Sequence, residues 1–291
     1  MVLKIAYFLI FYPLSLLPHR VLYLISDIMC FVVQHIIAYR KAVIVRNLKN
    51  SFPNSSDQEI KEYTNKYYHH LCDLIVESIK NISISNEELL KRFSFTNLEL
   101  LDELYAKKKS VVVMGGHYGN WERYALAISA LSQHKQLAIY KPFKNKFLNQ
   151  KIKQIRQRFG AQMISMMMTK KYFLKDPEIL KCITFGLDQW TPSPKKAYWS
   201  TFLHQDTSFY QSAEILAKEY DWAVVYCGLD KYKRGHYRGT FEVLTDQAPD
   251  TDEGELTEAF IRRLEANINQ DPPYWLWSHR RWKKTKAEVF A

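Results

Sequence analysis

The chain has 291 residues, of which 47% are hydrophobic, so it can form one large domain or two small ones with a sizeable core. Its formal net charge of +11 indicates an anionic partner, such as an acidic lipid, an acidic protein or nucleic acid. The four cysteines are scattered, with no Cys-x-x-Cys pair and no histidine at the spacing of metal ligands. They indicate buried thiols in a reducing compartment and argue against a metal site.

Two apolar segments occupy the first 38 residues. Residues 1–17 carry a single charge and fall short of the ~20 residues that a membrane-spanning helix needs. Residues 21–38 contain polar side chains and fit an amphipathic or core helix better than a second span. We therefore expect a membrane anchor followed by an interfacial helix, with ordinary core helices of a soluble protein as the alternative. The basic cluster after them predicts a cytoplasmic side: Arg40, Lys41, Arg46 and Lys49.

A long helix is predicted over residues 59–82, where apolar positions recur at helical spacing and Ser56 or Asp57 can cap the first turn. Glu77 lies on this helix. A solvated surface charge is its simplest interpretation, and a contribution to a nearby site is the alternative.

Residues 110–122 predict a buried strand, a glycine-rich turn and the start of a helix. The valines at 111–113 are β-branched and uncharged, as in a buried parallel strand. The glycines of the turn let the backbone approach a ligand closely. The turn presents His117, which Glu122 follows five positions later, and Asn120 between them is a candidate supporting residue.

This turn suits proton-transfer chemistry. The imidazole of His117 can take a proton from an attacking hydroxyl, and a carboxylate at Glu122 can orient the ring. Backbone N–H groups of the turn can face an oxyanion or a phosphate. The chain has no Gly-x-Ser-x-Gly nucleophile motif, so acyl transfer would need direct attack by the substrate's hydroxyl. The alternative is that His117 and Glu122 only cap a helix in a solvated loop.

Strands and helices alternate after this turn. We predict further strands at residues 136–140, 182–189 and 223–229, and an antiparallel or edge strand at residues 237–244. This alternation indicates an α/β domain with a mainly parallel sheet. Asp188 is at the end of a buried strand, at the edge where ligand sites of such sheets form. The basic helix near residues 148–159 has either a solvated face or one residue that points at a substrate phosphate.

The segment 272–283 combines three tryptophans with Arg280, Arg281 and Lys283. Such residues can stack on bases and neutralise phosphates, or they can lie at a membrane interface. The apolar N-terminus favours the membrane.

In this order, the motifs resemble those of the bacterial lipid A biosynthesis acyltransferases of the lauroyl/myristoyl type, which are part of the glycerolipid acyltransferase-like superfamily with a His-x4-Asp/Glu motif. The resemblance runs nearly from end to end of the chain. It rests on Arg46-Asn-Leu…Ser51-Phe-Pro53, His117-x4-Glu122, Tyr140-Lys-Pro-x-x-Asn145, Arg156-x-Arg158, Leu187-Asp-Gln189 and Trp275-x-Trp-x-His-Arg-Arg-Trp-Lys283.

The resemblance implies a single acyltransferase domain over residues 39–291, with a mainly parallel sheet flanked by helices, after an anchoring segment over residues 1–38. It implies direct transfer of an acyl group from a thioester to a lipid hydroxyl, with His117 as general base and Glu122 orienting it. The same resemblance places five residues in substrate-binding or supporting roles: Arg156, Asp188, Lys141, Asn145 and Asn120.

The implied donor is an acyl carrier protein, and the implied acceptor is a phosphorylated glycolipid. The resemblance also implies contact with membrane lipids, a location at the inner membrane with the catalytic domain on the cytoplasmic side, and no nucleic-acid partner. It implies no metal and no organic cofactor.

Two departures from the family pattern limit what can be carried over. Lys141 stands where arginine is expected, and residues 201–204 replace a Phe-Phe-Gly-like stretch. The chain length of the acyl group and the identity of the acceptor are therefore open. The alternatives are acylation of another lipid such as an aminolipid, hydrolysis of a lipid or thioester by the same His–Glu pair, and non-catalytic binding to membrane or nucleic acid through the C-terminal segment.

Overall fold

The computed structural model describes residues 2–140 and 142–291. The chain begins with a layer of helices, in which π-helical turns at Tyr7–Phe11 and Val32–Ile36 interrupt the regular hydrogen bonding. The helices of this layer are α1 (Val2–Ala6), α2 (Tyr12–Leu16), α3 (His19–Phe31), α4 (Lys41–Ser51), α5 (Asp57–Lys80) and α6 (Asn86–Arg92).

The long helix α5 forms the base of this layer. It begins at a capping box, in which Ser56 accepts from the backbone N–H of Glu59 and the carboxylate of Glu59 accepts from the backbone N–H of Ser56. Helix α3 packs against α5, and the hydroxyl of Ser26 donates to Asp73 at 2.9 Å in the buried interface.

Within the described residues, no single helix has both the length and the apolar composition needed to cross a membrane. The helical stretches His19–Ile36 and Lys41–Ser51 meet that requirement only together, and the chain bends by 88° between them. The membrane anchor and the domain boundary at residue 38 therefore stay predictions.

Seven strands of the described chain form one sheet, and two more form a separate hairpin. The strands of the sheet are β1 (Phe93–Phe95), β2 (Val111–Gly115), β3 (Lys135–Tyr140), β4 (Gln162–Ser165), β5 (Lys181–Gly186), β8 (Ala223–Lys233) and β9 (His236–Thr245). The hairpin consists of β6 (Tyr198–Phe202) and β7 (Gln205–Phe209).

The sheet has the order β1-β9-β8-β2-β5-β3-β4. Strands β8 and β9 pair antiparallel, and the other neighbours pair in parallel. This confirms the mainly parallel sheet predicted from the alternation. Strand β2 lies in the centre between β5 and β8, and its residues 111–114 are fully buried.

Helices flank the sheet. Helix α8 contacts β1 and β3, and the helices α11 and α12 contact β2 and β8. The helices after β1 are α7 (Glu99–Ala106), α8 (Trp121–Leu131), α9 (Lys146–Gln157), α10 (Thr169–Leu174), α11 (Ser212–Tyr220), α12 (Glu255–Gln270) and α13 (Lys286–Phe290).

The C-terminal segment is part of the core. Trp275, Trp277 and Arg281 are each at most 1% exposed, and the indole of Trp277 donates to the carbonyl oxygen of Pro272 at 2.6 Å. The prediction that this segment faces a membrane or nucleic acid is wrong for these residues, because the chain folds back over α5 and the end of β2, where the large rings fill the interior. The predicted burial of all four cysteines is confirmed.

Candidate functional site

The site forms where β2 and β5 end side by side. Gly115 and Gly186 are paired across these two strands, so the residues that follow them leave the sheet at the same edge. Two positions after each glycine stand His117 and Asp188. Ring nitrogen Nδ1 of His117 lies 2.6 Å from Oδ1 of Asp188, and the backbone N–H of His117 donates to Oδ2 at 2.7 Å.

Asp188 therefore fixes both the ring and the main chain of the histidine. This differs from the prediction that Glu122 orients His117. The physical reason is the register of two parallel strands that are distant in sequence, which no local spacing reveals. The adjacency of β2 and β5 puts the carboxylate of Asp188 beside the ring.

A second buried donor holds Asp188. The indole Nε1 of Trp275 donates to Oδ2 at 2.7 Å, and the side chain of Asp188 is 1% exposed. Burial alone would raise the pKa of this carboxyl. The charge of the His117 ring and the hydrogen bonds from His117 and Trp275 outweigh burial and lower the pKa of Asp188 to about 2. The carboxylate is thus ionised at neutral pH.

The pKa of His117 shifts in the opposite direction. Burial disfavours its charged form, but the adjacent Asp188 carboxylate outweighs this effect and raises the pKa of His117 above its usual value. In the neutral ring, the Nδ1–H group donates to Asp188, so the lone pair is on Nε2. Nε2 of His117 then accepts a hydrogen bond from the side-chain Nε2 of Gln189, with 3.2 Å between the two nitrogens. The arrangement is that of a general base with an orienting carboxylate.

At two glycines of this site, the backbone passes close to neighbouring side chains. A Cβ at Gly186 would lie 2.9 Å from Cε1 of His117. At Gly116 it would lie 2.6 Å from a methyl carbon of Leu264 and 3.3 Å from Oδ2 of Asp188. A side chain at Gly186 would press on the ring of His117, whereas one at Gly116 would first press on Leu264.

Glu122 is engaged elsewhere. It is the second residue of α8, and its carboxylate accepts two hydrogen bonds from Arg156 on α9, from Nε at 2.9 Å and from Nη2. The side chains are 27% and 25% exposed, so the pair is partly accessible. This planar two-point contact is one that lysine does not reproduce.

A cavity of about 1210 Å³ joins these groups. His117, Glu122 and Arg156 line it together, and its other walls are mostly apolar. They include Met163, Met166, Phe185, Ile215 and Leu216. The cavity thus combines a general base and an ion pair with space for a long apolar group.

The other predicted site residues have supporting positions. Asn120 caps α8 by accepting from the backbone N–H of Arg123 at 2.9 Å, and Asn145 caps α9 by accepting from that of Leu148 at 3.0 Å. Each therefore fixes the start of the helix that carries one member of the Glu122–Arg156 pair. Lys141 lies outside the described residues.

Glu77 supports the site from a buried position that our interpretation of the sequence missed. It is fully buried, so its interpretation as a solvated charge is wrong. Its carboxylate accepts from Nδ2 of Asn120 at 2.6 Å, from the hydroxyl of Tyr23 at 2.8 Å and from that of Tyr237 at 2.9 Å. A signal was present in the sequence: Glu77 stands three positions after the apolar Leu74, at the spacing of residues on one helix face, and Leu74 is also buried.

The described residues contain no group of three or more histidine, cysteine, aspartate or glutamate side chains that could hold a metal ion. The chemistry that the site residues support is proton transfer at His117 beside a large apolar cavity.

Comparison with known proteins identifies the family. At the level of individual proteins, the chain matches none of the curated sequences with which it was compared. Over residues 2–284 it matches the family described as bacterial lipid A biosynthesis acyltransferase, which extends over nearly its whole length. The chain therefore belongs to the bacterial lipid A biosynthesis acyltransferases and is an acyltransferase.

Proposed function

We propose that this protein transfers a fatty acyl group from the thioester of an acyl carrier protein directly to a hydroxyl group of a lipid A precursor or a related lipid. The observation that carries this proposal is the contact between His117 and Asp188 at the wall of a cavity large enough for an acyl chain. Family membership supplies the reaction class and a lipid acceptor.

In the proposed reaction, the acceptor hydroxyl replaces Gln189 at Nε2 of His117. As the hydroxyl oxygen bonds to the carbonyl carbon of the thioester, its proton passes to Nε2. The ionised Asp188 stabilises the resulting imidazolium through Nδ1. The tetrahedral intermediate then breaks its C–S bond, and the leaving sulfur takes the proton from Nε2. The products are the acylated lipid and the free thiol of the carrier, and His117 is neutral again.

The Glu122–Arg156 pair has a separate role in this proposal. The contact with Glu122 uses two of the five N–H donors of the guanidinium group, so Arg156 can offer others to an anionic oxygen of the substrate. Glu122 fixes the plane of Arg156, and Arg156 binds either an acceptor phosphate or the oxygen of the tetrahedral intermediate.

The net charge of the chain supports an acidic donor. Lys283 lines the cavity, Lys170 lines it in an ion pair with Glu219, and the formal net charge of the whole chain is +11. An acyl carrier protein is acidic, so attraction to this face would raise the rate of encounter and would weaken with added salt.

We place the protein at the inner membrane, with the catalytic domain on the cytoplasmic side and the N-terminal helices in contact with lipid. The support is a set of large apolar side chains that are exposed along these helices, which is more than a water-soluble surface usually has. They include Leu9, Leu16, Leu24, Ile28, Phe31, Ile36 and Ile37.

The test uses the full chain in membranes with acyl carrier protein thioesters of several chain lengths and a phosphorylated glucosamine-disaccharide lipid, followed by mass spectrometry of the lipids. We expect an acylated lipid from the wild type and a loss of rate of roughly 100- to 10,000-fold in His117→Ala. The matched control is His69→Ala, which removes an exposed histidine from α5 and leaves the rate unchanged.

Each alternative has its own outcome in the same experiment. Free fatty acid that depends on His117, without acylated lipid, would indicate a hydrolase. A product that forms only with a total lipid extract would indicate another acceptor, such as an aminolipid. The absence of any product that depends on His117 would overturn the acyl-transfer proposal.

A further inference from the structure

A second apolar groove adjoins the catalytic cavity. It has a volume of about 460 Å³ and lies between the first helices of the chain, α5 and α9. Tyr7 and Phe11 form one side of it, and Leu74, Ile75, Ile152 and Ile155 are among the residues that form the others. Trp121 and Glu122 line both the groove and the catalytic cavity.

The shared residues place the groove next to the site of reaction, with Trp121 and Glu122 between the two cavities. The ring of Trp121 packs edge-on against that of His117, with 5.2 Å between the ring centroids. Glu122 is held by Arg156 at the same place. A chain attached to a substrate at His117 therefore reaches the groove by passing Trp121.

The groove also opens at the apolar surface of the N-terminal helices. Ile75 and Phe11, which line it, are 41% and 39% exposed, and Leu9 and Ile10 next to Phe11 are 72% and 52% exposed. A hydrocarbon chain that starts in a lipid layer would enter the groove without crossing water.

Charge at the groove also fits a lipid. Lys151 lines the groove, and its ammonium group lies 5.0 Å from the ring centroid of Tyr7 and 5.8 Å from that of Phe147. A cation held beside aromatic rings at the edge of an apolar groove is suited to the anionic headgroup of a lipid whose chain lies inside.

We propose that this groove binds an acyl chain that the acceptor lipid already carries, while the acyl chain of the donor lies in the catalytic cavity. The inference rests on the proposed acyl transfer. It adds an assignment of the two chains, in which the groove selects the acceptor by its chain and the cavity selects the donor.

The first test fills the groove from its edge. Ser78 lines the groove and is exposed, so Ser78→Trp introduces a large ring without creating a hole in the core. We expect the KM for a long-chain acceptor to rise about tenfold or more, since buried apolar contact is lost. The KM for a short-chain analogue, the KM for the thioester and the distribution of donor chain lengths in the product stay unchanged.

Two variants serve as controls. Gln58→Trp adds the same ring at an exposed position of the same helix, outside the groove, and leaves all these quantities unchanged. Ile215→Trp narrows the catalytic cavity and shifts the preferred donor towards shorter chains. If Ser78→Trp shifts the donor preference instead, the groove holds the donor chain, and if it changes nothing, the groove binds no substrate chain. Both results would overturn the proposal.

A second measurement separates this proposal from the acyl-transfer reaction. A glucosamine-disaccharide phospholipid with a diazirine in its acyl chain is irradiated with the His117→Ala variant, and the labelled peptides are identified. We expect labels within residues 71–82 and 148–155, which line the groove, and a loss of these labels in the double variant with Ser78→Trp. Labelling confined to other segments would refute the groove even in a protein that catalyses acyl transfer. If the groove is labelled but the wild-type protein shows no acyl transfer, the assignment of the groove is supported and the proposed reaction is refuted.

Discussion

The indole Nε1 of Trp275 donates its hydrogen bond to Oδ2 of Asp188, the same oxygen that accepts the backbone N–H of His117. The C-terminal segment is thus the third part of a site whose other parts follow β2 and β5. Three hydrogen bonds hold one buried carboxylate, two from His117 and one from Trp275.

Trp275→Phe tests this contact, because phenylalanine keeps most of the buried apolar surface and removes the N–H group. A hydrogen bond to a charged group contributes about 1.5–3 kcal/mol, so we expect kcat to fall roughly 10- to 100-fold. The control is Trp282→Phe, which removes an indole that donates to Thr207 at 2.7 Å, away from Asp188. Equal losses in the two variants would show that the effect is general to the packing of the C-terminal segment.

Asp188→Asn should be far more damaging than the loss of Trp275. The amide cannot stabilise the imidazolium form of His117, and it favours the wrong tautomer, so we expect kcat to fall by about a thousandfold or more. The measurement is the initial rate with saturating thioester, together with a thermal unfolding curve of the variant. Asp246→Asn, at an exposed aspartate that pairs with Lys107, is the control. A rate within about twofold of wild type would exclude Asp188 as the partner of the base.

The pH dependence follows from the raised pKa of His117. Only the neutral ring accepts a proton, so kcat/KM should be full above the pKa of His117 and fall as the pH drops through it. That midpoint lies above the usual value of about 6.5. Because Asp188 is the group that raises this pKa, the residual activity of Asp188→Asn should have its midpoint at lower pH. A midpoint that stays at the same pH in this variant would mean that another group controls the rate.

The ion pair of Glu122 and Arg156 should behave as one unit. We expect Glu122→Gln and Arg156→Gln each to lower kcat/KM about tenfold, and the double variant to lose little more, because either change removes the same two-point contact. The measurement is a double-mutant cycle on kcat/KM. Effects that multiply would show that the two residues act independently.

Glu77 should contribute to stability more than to chemistry. Glu77→Ala removes the acceptor of three hydrogen bonds. It also removes the carboxylate that lies 3.8 Å from Nη1 of Arg123, which is itself fully buried. We expect the free energy of unfolding to fall by about 3–5 kcal/mol, as for other broken buried pairs. Denaturant unfolding measures it. Glu62→Ala, at an exposed position of the same helix, should change it by less than about 0.5 kcal/mol.

Local patterns were enough to predict the strand, turn and helix around His117, because apolar runs and glycines specify them directly. The strand before Asp188 was predicted for the same reason. The partner of His117 was not, because it depends on the order of strands in the sheet, and β5 lies next to β2 although β3 and β4 come between them in the chain. The interpretation of the C-terminal segment failed for a related reason, since a tryptophan ring packs in an interior as well as at a surface when its N–H group finds a partner, as those of Trp275 and Trp277 do.

Strand β4 and the hairpin of β6 and β7 were not predicted from the sequence. Strand β4 has four residues, and the hairpin of β6 and β7 consists of polar and aromatic residues without a long apolar run. Their stability comes from neighbours that the sequence does not reveal, namely β3 beside β4 and α12 beside β6.

The parallel pairing of β1 with β9 has a consequence for synthesis at the ribosome. Phe93 is opposite Tyr237 in that pairing, so β1 has a neighbouring strand in the sheet only once β9 has been synthesised. Contacts between such distant parts of a chain form slowly. The candidate site likewise needs the end of the chain, because Trp275 donates to Asp188. A nascent polypeptide that already contains His117 and Asp188 but ends before position 275 has the histidine and its carboxylate without this third hydrogen bond.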